Sequence, residues 1–208
     1  GLVSRDPAYA VNGPKKRKPL PQFVREDEME RLLDQVEWGD DYNSVRTRTI
    51  IIAFYETGMR LSELIGLDDA DVSIDNRELR VMGKGSKQRV IPFGDELAEA
   101  ISRYKERRNA ETPERATHAL FTDNRGQRMS AVQVRAAVKE SLSLVCKLKK
   151  RSPHVLRHSY ATALLDNGAD IESVRKLLGH ERLSTTEIYT HTSFRQLRDA
   201  YRKAHPRD

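Results

Sequence analysis

Apolar residues recur along this chain at helical spacing far more often than they alternate. Met29, Leu32, Leu33 and Val36 fall three or four apart within Arg25–Trp38, behind acids in the first turn, and predict an amphipathic helix. The apolar run Thr49–Tyr55 lies in a second predicted helix, Arg46–Thr57, which Gly58 ends, and Leu61–Leu67 forms a short third. At Glu78–Met82 and Arg89–Phe93 the pattern changes to two short strands. They flank Gly83-Lys84-Gly85-Ser86-Lys87-Gln88, so this stretch reads as a β-hairpin with a glycine-rich tip. Helical spacing returns over Asp95–Asn109, where Leu97, Ile101 and Tyr104 share a stripe, and Glu111–His118 reads as a loop. Ser130 caps Ala131–Cys146, Pro153 opens His154–Asn167, and Asp170 and Gly179 bracket Ile171–Leu178. Ser184 caps a helix that carries Tyr189, and Phe194–Arg202 closes the chain. The fold class predicted is α+β, mostly α: a helical domain with a small three-stranded antiparallel sheet or β-hairpin.

The first 22 residues have no such pattern. Pro7, Pro14, Pro19 and Pro21 surround the basic run Lys15, Lys16, Arg17 and Lys18, which reads as an extended linker. That run is either a solvated tether or a strap that contacts DNA phosphates. Across the 208 residues, 37 Lys and Arg against 31 Asp and Glu leave a net charge of +6, which suits a polyanion without requiring one. A single cysteine, Cys146, excludes an internal disulfide and a cysteine-based zinc site. No stretch approaches the roughly 20 apolar residues of a membrane helix. The expected setting is soluble, reducing and cytoplasmic.

Candidate chemistry lies at the punctuation points. Arg60 follows the helix-ending Gly58, Lys84 sits at the hairpin tip, and His154 and Arg157 are one turn apart on a helix. His180 follows the helix-ending Gly179, and Tyr189 comes nine positions later. Each residue alone has an ordinary explanation as a surface or packing group. Together they match the needs of attack on a phosphodiester. Negative charge builds on the nonbridging oxygens, and two planar guanidiniums can hold it through paired hydrogen bonds at any workable pH. A phenol with an ordinary pKa of about 10 needs neighbouring cations and a base before it attacks. A histidine can take that proton, and a lysine on a hairpin can protonate the leaving 5′ oxygen. A covalent phosphotyrosine conserves the bond energy, so resealing needs no nucleotide.

Five ordered segments carry a resemblance. Thr57-Gly58-Met59-Arg60-Leu61-Ser62-Glu63-Leu64, Gly83 to Arg89, His154 to Thr162, Leu177-Leu178-Gly179-His180 and Ser184 to His191 resemble the motifs of the tyrosine recombinase, or phage integrase, family, most closely its Xer branch. The resemblance runs from about residue 20 to the end. It implies the catalytic fold of that family, site-specific cleavage and rejoining of DNA, and no metal or other cofactor. It also implies residue roles. Arg60 and Arg157 clamp the scissile phosphate, His180 donates a hydrogen bond to it, and Tyr189 is the nucleophile. Lys84 is the general acid, His154 the acid/base partner of the tyrosine, and Glu63 a supporting acid. Lys87 and Arg89, beside Lys84, are expected to contact DNA backbone or groove, as are Lys15 to Lys18. His154 and His158 are spaced as a zinc pair could be, but no third ligand is evident and a packing or supporting role for His158 is expected.

The family architecture further implies a preceding helical core-binding domain, with this chain opening at its end. Residues 1–22 would be the linker, 23–192 the catalytic domain and 193–208 a C-terminal helical tail. That tail either packs on its own domain or docks on a neighbouring protomer. The implied partners are double-stranded DNA and three further protomers, identical or of a related recombinase, in a closed tetramer. An isolated piece of this kind is expected to be monomeric, to bind DNA weakly, and to work near the nucleoid. Two other readings compete, topoisomerase-like relaxation of DNA and a non-catalytic DNA-binding module. A metal-dependent nuclease is weaker still, since its only candidate carboxylates, Asp68, Asp69 and Asp71, sit where a short helix ends and read as caps and solvated acids.

Overall fold

The computed structural model describes residues 22–83, 88–179 and 191–207, with 191–197 described as backbone only. Its centre is α2, Tyr42–Thr57, where Ile50, Ile51, Ile52 and Phe54 are fully buried. From Thr49 to Thr57 every residue of α2 is buried, so this half must be enclosed, and α2 packs against α4 (Asp95–Glu111) and α6 (Pro153–Asp166). It starts four residues earlier than its apolar pattern predicts, because Asp41 caps it by accepting from the Asn43 and Ser44 amides. Arg46, the predicted first residue, is instead a buried internal position held by the Thr122 carbonyl and Asn124.

The predicted helix over Arg25–Trp38 is shorter and divided. α1 spans Glu26–Glu30, and a π-helical turn, Arg31–Gln35, follows directly. Met29, Leu32 and Leu33 are buried on this unit. Val36 is already extended, and the Trp38 indole donates to the Leu32 carbonyl at 2.8 Å, closing the turn.

α3, Leu61–Gly66, leads to a three-stranded antiparallel sheet in the order β1 (Val72–Ser73), β2 (Glu78–Met82), β3 (Gln88–Pro92). Leu79 faces Ile91 and Val81 faces Arg89 across the β2–β3 pair. Leu79, Val81, Ile91 and Arg89 are all buried. After α4, α5 covers Ala131–Ser143 with Ser130 as its cap. It stops three residues before the predicted Cys146, which is buried in the turn that follows.

A second apolar cluster lies between α6, α7 (Ile171–Leu178) and α8 (His191–Ala204) and contains Tyr160, Leu164, Val174, Leu177, Leu178, Tyr201 and Ala204. In this structure α8 therefore packs on its own domain. The Tyr201 hydroxyl donates to Glu56 at 3.3 Å, His205 lies 3.3 Å from the Tyr55 carbonyl, and Arg207 pairs with Asp34 and Glu96.

Candidate active site

The site is built around the C-terminal end of α7. Asp170 starts this helix by accepting from the Ser173 amide, and Gly179 ends it in the left-handed conformation, φ 64° and ψ 45°. The last carbonyls of a helix have no partner within it and carry the negative end of its dipole. Here three consecutive carbonyls each receive a different arginine. Arg89 donates to Leu177 O, Arg157 to Leu178 O at 2.6 Å, and Arg60 to Gly179 O at 2.7 Å.

The three arginines come from distant stretches. Arg60 stands at the N-cap of α3, and Glu63 closes on it twice. Its carboxylate accepts the Arg60 backbone N–H at 2.6 Å and Nη1 at 2.8 Å. The turn before it depends on Gly58, at φ 57°, whose carbonyl also accepts from Arg157. Arg157 reaches inward from α6 and is 7% exposed. Burial, then the charges of Arg60 and Arg89, lower its pKa to about 10, so it remains a cation at neutral pH.

Arg89 lies where sequence reasoning did not place it. The expectation of a DNA-contacting side chain beside the hairpin tip is corrected: Arg89 is buried, with Nη2 2.9 Å and Nε 3.3 Å from the Glu63 carboxylate. The signal was available, because Arg89 alternates in phase with Ile91 and so falls on the inner face of β3. Glu63 is itself buried. Burial raises its pKa, but the hydrogen bond and charge of Arg89, followed by the contacts of Arg60, more than offset that and hold it below the usual carboxylate range. One carboxylate against three guanidiniums leaves two positive charges at the site.

His154 is exposed in the first turn of α6. The structure pairs it with His158, Nε2 to Nε2 3.1 Å, while Arg157 turns away into the interior. Burial, then the charges of His154 and Arg157, lower the pKa of His158. Among the described residues no three His, Cys, Asp or Glu side chains form a metal-binding group. Asp69 is paired with Arg108 and Arg115 at 2.9–3.0 Å and Asp68 with Arg128 at 2.5 Å, while Asp71 accepts the Asp68 amide at 2.9 Å, so two of the three carboxylates are in ion pairs and the third is a cap. Lys84, Lys87, His180, Tyr189 and the run Lys15, Lys16, Arg17 and Lys18 lie outside the described residues. The structure thus brings together Arg60, Glu63 and Arg157, and adds Arg89 and the carbonyls of 58 and 177–179.

Comparison with known proteins shows the family. The phage integrase family profile matches residues 22–196. The chain belongs to the phage integrase family. This integrase-family chain is 39% identical over 227 residues to Tyrosine recombinase XerC of Chlorobaculum tepidum, with 100% of the chain and 68% of the relative covered. To Tyrosine recombinase XerC of Mycobacterium tuberculosis it is 41% identical over 211 residues, covering 100% of the chain and 71% of the relative. Among solved structures, that of XerA recombinase matches with a TM-score of 0.69 at 30% identity, over 90% of this chain and 66% of that one. XerH recombinase, in a post-cleavage complex with a palindromic difH substrate, matches with a TM-score of 0.69 at 26% identity, over 87% and 52%. The chain spans about two thirds of the length of these curated relatives. Its enzyme class is that of the tyrosine-type site-specific recombinases, and neither a topoisomerase nor a non-catalytic reading is favoured. No described helix is long and apolar enough to cross a membrane.

Proposed function

We propose that this chain cuts and rejoins DNA through a 3′-phosphotyrosine formed by Tyr189, the strand-exchange chemistry of site-specific recombination. The observation that carries this reading is the convergence of the Arg60 and Arg157 guanidiniums on adjacent carbonyls, those of residues 179 and 178. Each also makes one further side-chain hydrogen bond, Arg60 to Glu63 and Arg157 to Gly58 O. A guanidinium has five N–H donors, so each retains donors for a phosphate. A bound phosphodiester carries one negative charge and gains a second as the phenolate adds, and the two net positive charges of the site match that state.

In this scheme the Tyr189 oxygen attacks phosphorus in line with the 5′ oxygen. The phenolic proton passes to His154, the P–O5′ bond breaks, and Lys84 protonates the leaving oxygen. His180 hydrogen-bonds a nonbridging oxygen. Attack by a 5′-hydroxyl reverses each transfer and reseals the strand. No step calls for a metal or a nucleotide. Lys87 and the linker residues Lys15, Lys16, Arg17 and Lys18 would contribute phosphate contacts, and a tetramer of identical or related protomers would hold the two DNA sites.

The test is a nicked duplex that traps the cleaved state, carrying a site identified by mapping covalent adducts on genomic DNA. A 3′-linked protein–DNA adduct should accumulate in EDTA, and Tyr189→Phe should abolish it. An adduct that requires added Mg²⁺, or that survives Tyr189→Phe, would sink the scheme.

A further inference from the structure

We infer that Arg89 is a positioning residue of the strand-cleavage reaction, joining the β-hairpin that carries Lys84 to the phosphate clamp. This rests on the recombinase reading above and assigns Arg89 a task other than DNA contact.

Three observations converge on it. Arg89 binds both oxygens of Glu63, Oε2 at 2.9 Å and Oε1 at 3.3 Å, and Glu63 in turn holds the Arg60 backbone and guanidinium. Its Nη1 donates to the Leu177 carbonyl, the first of the three acceptors at the end of α7. The turn after α7 lies directly on it: a β-carbon at Gly179 would be 2.9 Å from Nε and 3.0 Å from Cδ of Arg89. One planar group therefore fixes the orientation of Glu63 from one side and the end of α7 from the other. Position 89 is five residues beyond Lys84, and Gly179 immediately precedes His180. The strand leaving the hairpin, the first arginine box and the end of α7 thus meet at one guanidinium.

An arginine suits this task and a lysine does not. The planar fork can serve a carboxylate and a carbonyl at the same time, whereas an ammonium is a compact point charge on a flexible stem. Arg89 has 7% exposure, so its contacts are made with the protein rather than with solvent. Loss of the fork would leave Glu63 in place but free to rotate, and Arg60 would follow it. Misplacing a reacting group by about 1 Å costs on the order of 10²-fold in rate.

The decisive experiment measures single-turnover cleavage of the nicked substrate at saturating DNA, alongside DNA affinity over a range of salt. For Arg89→Lys, cleavage should slow by about 10²-fold. Affinity and the slope of log K against log salt should match the wild type, since a lost phosphate contact would reduce that slope by about 0.9. Arg89→Lys should add little to the defect of Arg60→Lys, because it acts through that residue. Arg89→Met combined with Glu63→Gln removes both buried charges together. Thermal unfolding should show this pair folded, with cleavage slow. A reduced salt slope would make Arg89 a DNA contact and overturn the inference. So would wild-type cleavage accompanied only by a lower melting temperature, or full additivity with Arg60→Lys. A wild-type chain that forms no adduct would remove the recombinase reading, and this inference with it. A normal wild-type reaction with an equally fast Arg89→Lys would remove the inference alone.

Discussion

At position 58 a β-carbon would lie 2.3 Å from Cδ1 of Tyr160, on a backbone whose φ of 57° L-residues rarely adopt. Gly58→Ala should therefore destabilise the protein by about 2–4 kcal/mol, the combined cost of overpacking and a left-handed alanine, read from denaturant unfolding. It should also slow cleavage, because the displaced carbonyl is one of the two acceptors that aim Arg157. Arg157→Ala removes the guanidinium itself. Cleavage should fall by about 10²–10³-fold, the range for one lost oxyanion donor, in the same trapped-substrate assay. Arg157→Lys should recover only part of this, since one ammonium cannot span Gly58 O and Leu178 O and still meet a phosphate. These two residues were readable as types in the sequence. What it could not show is that Arg157 is aimed by two backbone carbonyls, one of them Gly58's, because acceptors of that kind carry no sequence signature.

Between elements, the contact of α8 with α2 depends on protonation. Glu56 is fully buried on α2, accepting from the Gly94 amide and the Tyr201 hydroxyl, with Oε1 lacking a partner. Burial above all raises its pKa to about 8. The folded protein therefore holds a proton there that the unfolded chain, near its ordinary 4.5, releases. The associated stability is fully present below pH 4.5 and is lost as pH rises through about 8. His205 behaves in the opposite sense. Burial lowers its pKa to about 4 from an ordinary 6.5, so its contribution is present above pH 6.5 and lost as pH falls through about 4. Glu56→Gln keeps the shape and cannot ionise. Its melting temperature relative to wild type should rise steadily between pH 5 and pH 8, by about 5 °C in total, a shift worth roughly 1–3 kcal/mol for a chain of this size. A flat difference would place the proton elsewhere. None of this was legible in the sequence, where Glu56 is an ordinary helix residue. The helix ends were clearer: Gly58, Ser130, Asp170 and Gly179 stand at the caps their chemistry suggests. The interior turns were not, since a π-helical turn at Arg31–Gln35 keeps apolar residues near helical spacing while changing the path.

For the molecule as a whole, the fold class and the residue types of the site could be read from the chain, because ordered motifs at family spacing carry both. The way they assemble could not. Positions 60, 89 and 157 meet only because α7 ends where it does. Arg89 read as a contact to DNA backbone or groove because it flanks the hairpin tip that carries Lys84. Its alternation with Ile91 argued the other way.

The same architecture gives the end of the chain a stabilising task, since Tyr201, His205 and Arg207 tie it to Glu56, the Tyr55 carbonyl, Asp34 and Glu96. Removing the chain from Tyr201 onward would uncover the Tyr55 ring and the Glu56 carboxyl, so this stretch acts as a plug over that part of the interior.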